Sequence, residues 1–451
     1  MSGGLNRDSF QQLLQERDEP DWCRRLRQQA FDAFEQLPMP PRSHEEWRRT
    51  DIRLFSFDRF RPAALAAAAA DQAEPPLDSV TLRLFDRTGV EGHRSVVDGR
   101  EVSRSVAEQL QRRGVIFCSM DEAVREHSEL VGRYLSRAVD PTYDKFAAAH
   151  AAFWAGGTFL YVPRNVVIEA PLHVVSALTV PAAAETGHVL VVLDEGAEAT
   201  LFIELLSPPT LETGVHLGAT ELFVGRGARL KLVTVQDLSL NVWNFAHQRA
   251  ICHADAQLDW SIGVLGSKLS KVNQEVELRE RGAEADVHGV MFARQRQHLS
   301  YHTRQWHRAG ATRSDLLFRG ALTDRARIVW RGMIRVEPGA LRTNAYQRND
   351  NLVLSDHARA DSIPGLEIEA DDVRCTHGAT AGHVDPEQVF YMQSRGVERD
   401  EAVHMIVEGF FTEVIQRIAI PSVRAALRAA VAEKLGFPLA APEEALELAS
   451  L

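Results

Sequence analysis

Cysteine is scarce in this sequence. The four present, Cys23, Cys118, Cys252 and Cys375, stand far apart with no C-x-x-C pair among them, which argues against a disulfide framework and a self-contained zinc site. In a reducing compartment they stay thiols. Long apolar runs are missing as well: nowhere does the chain approach the ~20 apolar residues of a membrane helix, and its first eight residues offer no apolar core for a secretory signal. A cytoplasmic protein without membrane contact is expected. Positive charge is not in excess either. With 51 Lys and Arg against 62 Asp and Glu the formal net charge is −11, a field that repels nucleic acid and anionic lipid.

Several catalytic signatures are absent too. Gly263 to Lys268 only superficially resembles a phosphate-binding loop, with the wrong spacing. Gly225-Arg226-Gly227 begins like a dinucleotide fingerprint, but Leu230 stands where the third glycine belongs. There is no G-x-S-x-G elbow, and His44-Glu45-Glu46-Trp47-Arg48 lacks the second histidine of a zinc-protease helix. A chain that catalyses nothing alone is the consequence.

What is present is an ordinary globular composition, 45% hydrophobic and 25% charged over 451 residues, long enough for two or three structural units. The first 80 residues read as helices and a linker. Asp8 or Ser9 is placed to cap a run with Phe10, Leu13 and Leu14, and a second helix after Pro20 carries Trp22, Leu26, Ala30, Phe31, Phe34 and Leu37 on one stripe before Pro38. Alanine-rich residues 61–78, with Pro75 and Pro76, read as the linker. Residues 81–384 change to short β runs that end at Pro, Gly, Asp or Asn, such as 158–162 and 189–193. Small-residue corners recur at Gly196-Ala197, Gly227-Ala228, Asp255-Ala256, Gly282-Ala283 and Gly310-Ala311. A near-constant step favours a β-solenoid over a sandwich or barrel. Residues 385–451 return to helix: Asp385-Pro386-Glu387-Gln388 is a start signal and Gly396 a stop. A second helix there has a wide apolar face of Ala402, Val403, Ile406, Val407, Phe410, Val414, Ile415 and Ile418, more than a hairpin on the solenoid needs, so an exposed docking patch is expected. A third spans 423–435.

Arginines 308, 313, 319, 325, 327, 331 and 335 interleave with apolar residues, which on strands puts them on one face. Solvated outer rungs are the simpler reading, a specific anion or partner site the other. Histidines 247, 253, 288, 298, 302 and 307 fall in the same region, but Cys252 and His253 are strand neighbours on opposite faces and badly placed to share an ion. Cys375-Thr376-His377 differs: residues two apart share a strand face and bring sulfur and imidazole together, a donor pair suited to iron, copper or zinc. Two ligands do not complete a site. Either a partner supplies the rest or the pair is structural, His377 then bonding to the turn before Asp385.

Residues 361–380, which contain Cys375-Thr376-His377-Gly378-Ala379-Thr380, resemble the hallmark of the SufB/SufD family of iron-sulfur cluster assembly proteins. Residues 385–396, 347–358 and Glu45-Glu46-Trp47-Arg48-Arg49-Thr50-Asp51 resemble it too. The resemblance implies a right-handed parallel β-helix between helical ends, a scaffold role, pairing of SufB with SufD through their β-helices, and docking of a SufC ATPase on the C-terminal helices. Gly378 resembles the SufD type, since SufB typically has glutamate after its histidine; the alternative is the cluster-bearing, sulfur-accepting SufB-like subunit itself. A β-helix polysaccharide lyase or hydrolase is a third reading, which export signals would favour. Further implications are His377 as an iron or cluster ligand shared with the partner, Cys375 as a weaker candidate, and iron or a cluster held transiently at that interface. Reduced flavin is an open question for the complex; nothing is tightly bound by the isolated chain, which can pair with itself when alone.

Overall fold

A computed structural model describes residues 3–67 and 89–437. The unit boundary expected near residue 80, the prolines Pro75 and Pro76, and Pro438 after the last helix lie outside the described residues. Two parallel sheets wind around a common core as a β-solenoid of about eight turns. The first sheet stacks Gly157–Val162, His188–Leu193, Gly214–Val224, Val242–Cys252, Leu269–Leu278, His298–His307, Arg327–Val336 and Arg359–Ile368. The second stacks Leu172–Ala177, Glu198–Leu206, Arg229–Asp237, Gln257–Val264, Glu284–Ala293, Arg313–Leu322, Asn344–Val353 and Arg374–His383. The repeat is one full turn: 26 residues separate Trp243 from its register partner Leu269, and 32 separate Arg327 from Arg359.

The corners explain the period read in the sequence. Gly196, Gly227, Asp255, Gly282, Ala311 and Arg342 all have φ between 56° and 76°, the left-handed bend that turns one strand into the next sheet and favours glycine or aspartate. The amide of Gly196 donates to the carbonyl of Arg226 (2.9 Å) and that of Asp255 to Arg281 (3.1 Å), so successive corners stack. The residue after each bend points inward and must be small: Ala197, Ala228, Ala256, Ala283, Thr312 and Thr343 are fully buried. At the fifth corner the bend falls on Ala311 and the buried follower is Thr312, one position later than the Gly310-Ala311 alignment.

Inward-facing positions build the main core, which includes Leu201, Leu232, Trp260, Val287, Phe318 and Trp330. Helices Arg7–Gln15 and Asp21–Gln36 pack Phe10, Phe31 and Phe34 against Phe153 of helix Lys145–Phe153. Asn6, not Asp8 or Ser9, caps the first helix, in a capping box with Ser9. Four helices, Glu108–Arg112, Met120–Glu126, Ser128–Tyr134 and Lys145–Phe153, interrupt the stretch that shows little helical periodicity in sequence. Three have seven residues or fewer, and residues 146–153 of the fourth are buried all round, so none leaves a long amphipathic stripe.

At the other end, helix Pro386–Ser394 starts at Asp385, whose carboxylate accepts from the Glu387 amide (2.9 Å). Helices Arg399–Gln416 and Pro421–Lys434 lie on the outer face of the second sheet, burying Val407, Phe411, Val414, Ile415 and Leu427 against Val233, Val235, Phe292 and Leu317. The wide apolar face expected to be a free docking patch is thus largely buried on the solenoid. The large apolar side chains exposed in this region are Phe390, Tyr391 and Met405. No helix among the described residues is long and apolar enough to cross a membrane.

Candidate functional site: the unpaired solenoid end

Arg359–Ile368 and Arg374–His383 are the last strands of their sheets, ten residues each, and each pairs on one side only. Such edges offer a row of backbone donors and acceptors to another chain. Pro364 stands in the middle of the first, a residue tolerated in strands at edges.

Cys375 and His377 sit on the second edge strand in register with Ala345 and Gln347. Ala345 and Gln347 are fully buried, so pleat alternation puts both Cys375 and His377 on the core-facing side of the last turn, beside the edge to which a next turn would pair. Cys375 is half-buried against the cluster of Ile334, Val336, Ala340 and Ala345, and burial raises its thiol pKa despite the Ala345 backbone contact, which lowers it. The His377 side chain is exposed and makes no hydrogen bond or ion pair with any described residue, the turn before Asp385 included. Among the described residues no three His, Cys, Asp or Glu side chains are grouped to hold a metal. The two donors share a face, soft enough for iron, and lack a third and fourth ligand.

Beneath them the core turns polar. Gln347, Asn349 and Asn351 are buried inward-facing residues of one strand. Asn351 Nδ2 donates to Asn349 Oδ1 (2.7 Å) and to Ser362 Oγ (3.0 Å), and Ser362 Oγ donates to Asn349 Oδ1 (2.5 Å). Gln347 Nε2 donates to the Gly365 carbonyl (2.9 Å), but its Oε1 is buried without a partner beside His377. Gly332 makes room for this: a Cβ there would lie 2.2 Å from Trp330 and 2.3 Å from Gln347 Oε1. Sequence reading did not single out this polar plug, although buried Gln and Asn at every second position of a strand is its signal.

Other candidates resolve into packing. Cys252 is buried in the core while His253 pairs with Glu280 outside (3.0 Å), as strand alternation requires. His288 faces Asp259, and His307 bonds Thr312 and Ser314. Arg308, Arg313, Arg319, Arg327, Arg331 and Arg335 each meet a carboxylate, for example Arg308 with Glu277 (3.0 Å), so these are ion-paired outer rungs. All four cysteines are free thiols. Burial pushes Cys23, Cys118 and Cys252 up to about 12, so in the native protein a thiol reagent at neutral pH should modify Cys375 well before the other three. Mass spectrometry of the alkylated protein checks this; early modification of Cys252 would contradict the packing described.

Two family models match this architecture. One, described as "SUF system FeS cluster assembly, SufBD core domain", covers residues 177–410, more than half of the chain and most of the solenoid. The chain belongs to the SufBD family. The other, "SufBD protein N-terminal region", covers residues 91–174. Relatives include proteins named as iron-sulfur cluster assembly SufBD family proteins. The one from Staphylococcus haemolyticus is 27% identical over 415 residues, 90% of this chain and 88% of that protein. One from Staphylococcus aureus is 26% identical with the same coverage. The match to the SufBD core takes in the edge strand that carries Cys375 and His377 and runs on into helix Arg399–Gln416.

Proposed function

We propose that this SufBD protein is the SufD-type scaffold subunit of an iron-sulfur cluster assembly complex, pairing its solenoid end with SufB and docking a SufC ATPase on its C-terminal helices. What carries the reading is the incomplete donor pair, His377 with Cys375, on an edge strand that leaves room for another chain. A partner strand added there would extend the sheet and bring its own ligands, and iron or a nascent cluster would be cargo held between chains. Gly378 supports the SufD assignment. Its backbone does not demand glycine, since a Cβ would meet nothing closer than Tyr346 Oη at 3.6 Å. The SufB-like alternative requires the isolated chain to hold a cluster. Anaerobic purification of the chain alone and with its genomic neighbours tests this: cluster absorbance and ATPase activity are expected only with partners, and reproducible absorbance from the chain alone would favour the alternative.

The docking face follows from Phe390, 73% exposed, and Tyr391, 59% exposed, on the helix that leaves the His377 strand after two residues. Removing residues from 398 onward would uncover Val233, Val235 and Leu317 and so confuse docking with stability. Phe390→Asp with Tyr391→Asp is cleaner. It should abolish ATPase capture in pull-down and leave the melting temperature essentially unchanged, because exposed substitutions cost within about 0.5 kcal/mol. Normal capture by that variant would exclude this face.

A further inference from the structure

We propose that the outer face of the first sheet carries a separate binding site for a small oxyanion-bearing molecule, a carboxylate or a phosphate, held by His302, Arg304 and Arg331. Strand register builds its floor. Asn273, His302 and Arg331 are consecutive partners across three strands, and Glu275, Arg304 and Met333 form the next outward row. The wall comes from two places: Glu46, in the block that ends at Asp51, and the segment from Val139 to Tyr143. Between floor and wall lies a cavity of about 150 Å³.

The wall is fixed firmly, so the cavity belongs to the fold. Trp47 is buried and stacks on Phe146 with ring centroids 5.2 Å apart. Thr50 Oγ1 donates to Ser300 Oγ (3.2 Å), Glu45 meets Arg331 (3.2 Å), and Tyr143 Oη donates to Glu46 (2.9 Å). These contacts give the Glu45-Glu46-Trp47 block a role that cluster chemistry does not explain.

Three guanidinium groups, Arg249, Arg304 and Arg331, stand on the floor. Glu275 serves both Arg249 and Arg304, the latter at 3.0 Å, so these two share one carboxylate. Arg304 engages Glu275 through Nη1, and with 40% of its side chain exposed it keeps other N–H groups free for a ligand. Lys271 lies sealed beside this row, its Nζ 5.5 Å from the Trp47 ring and 2.8 Å from Asn273 Oδ1. The imidazole of His302 registers the field: burial first, then Lys271, Arg331 and Arg49, depress its pKa to about 2, with no carboxylate opposing them. His302 is therefore a neutral ring that makes no hydrogen bond with a described residue. Glu46, Asp140 and Glu367 stand among the lining residues. Their charge disfavours polyanions, and the volume admits only small ones. A guanidinium fork with a neighbouring ring N–H is a matched donor set for carboxylate or phosphate oxygens.

Calorimetric titration of the full chain with inorganic phosphate and, separately, with malonate tests the site, with ionic strength held by sodium chloride. Saturable one-to-one binding of at least one anion is expected, and which one binds identifies the source of the oxyanion. Arg304→Gln, on a half-exposed residue that the fold tolerates, should weaken it by about tenfold or more. His302→Gln, which keeps one N–H, should weaken it less. Absence of saturable binding for both anions, or wild-type affinity in Arg304→Gln, overturns the proposal. Neither result depends on cluster assembly, so the scaffold reading stands or falls separately.

Discussion

Replacing His377 by alanine is expected to abolish iron-sulfur cluster formation in a strain with no other assembly system, while the proposed complex with SufB and SufC still forms at normal yield. The argument is geometric. The His377 side chain is exposed, makes no contact that folding requires, and lies on the core-facing side of the edge strand to which a partner strand would pair. Its loss should change the stability of the isolated chain by no more than about 0.5 kcal/mol. A neutral imidazole nitrogen is a good donor to iron, and a ligand set divided between chains disappears when one chain lacks its share. Cysteine at the same position should restore part of the activity, since a thiolate also binds iron. Normal cluster assembly by the alanine variant would refute the role, and so would a defect confined to loss of the complex.

The second large effect is on stability, far from the site. Arg27 is fully buried, and its guanidinium donates to Glu19 (2.7 and 2.8 Å) and to the carbonyls of Ala152 (3.1 Å) and Trp154 (2.9 Å). It also lies 3.8 Å from the Trp154 ring centroid. Arg27→Ala leaves two carbonyls without this donor and the buried Glu19 carboxylate with only the longer contacts of Arg17 (3.4 Å) and Cys23 (3.6 Å), a loss of about 3–5 kcal/mol. Urea unfolding monitored at neutral pH measures it, and a loss below about 1 kcal/mol would show that the pair contributes little. The pH dependence has a defined sign. Burial raises the Glu19 pKa, but Arg27, Arg17 and the Cys23 hydrogen bond together outweigh it and the net shift is downward. This stabilisation is present above the ordinary carboxylate range and is lost as pH falls through the lower folded value. In Arg27→Ala the buried carboxyl keeps only the longer Arg17 contact (3.4 Å) and protonates more readily, so the gap between variant and parent should narrow below about pH 4.

The order of helix, solenoid and helix was legible because its signals are local. A corner needs a residue that accepts positive φ followed by a small one, and Gly196-Ala197 and Gly227-Ala228 state both requirements in two letters. The Asp385-Pro386 start of a helix is equally local, and so is the two-residue spacing that puts Cys375 and His377 on one strand face. Family membership was legible from the blocks around those same residues. Other features depend on groups distant in sequence. Which residue of a strand pair lies under which is set by register, so the polar plug of Gln347, Asn349, Asn351 and Ser362 emerges only when two sheets close on each other. The fate of the apolar face around Val407 and Phe411 could not be read from periodicity, because a stripe has the same pattern whether a solenoid or a partner covers it. Likewise the cavity over His302 needs a tryptophan from residue 47 and a loop near residue 140 to meet strands far along the chain. Local backbone preference and side-chain alternation are written in the sequence; adjacency between distant segments is decided by packing in three dimensions.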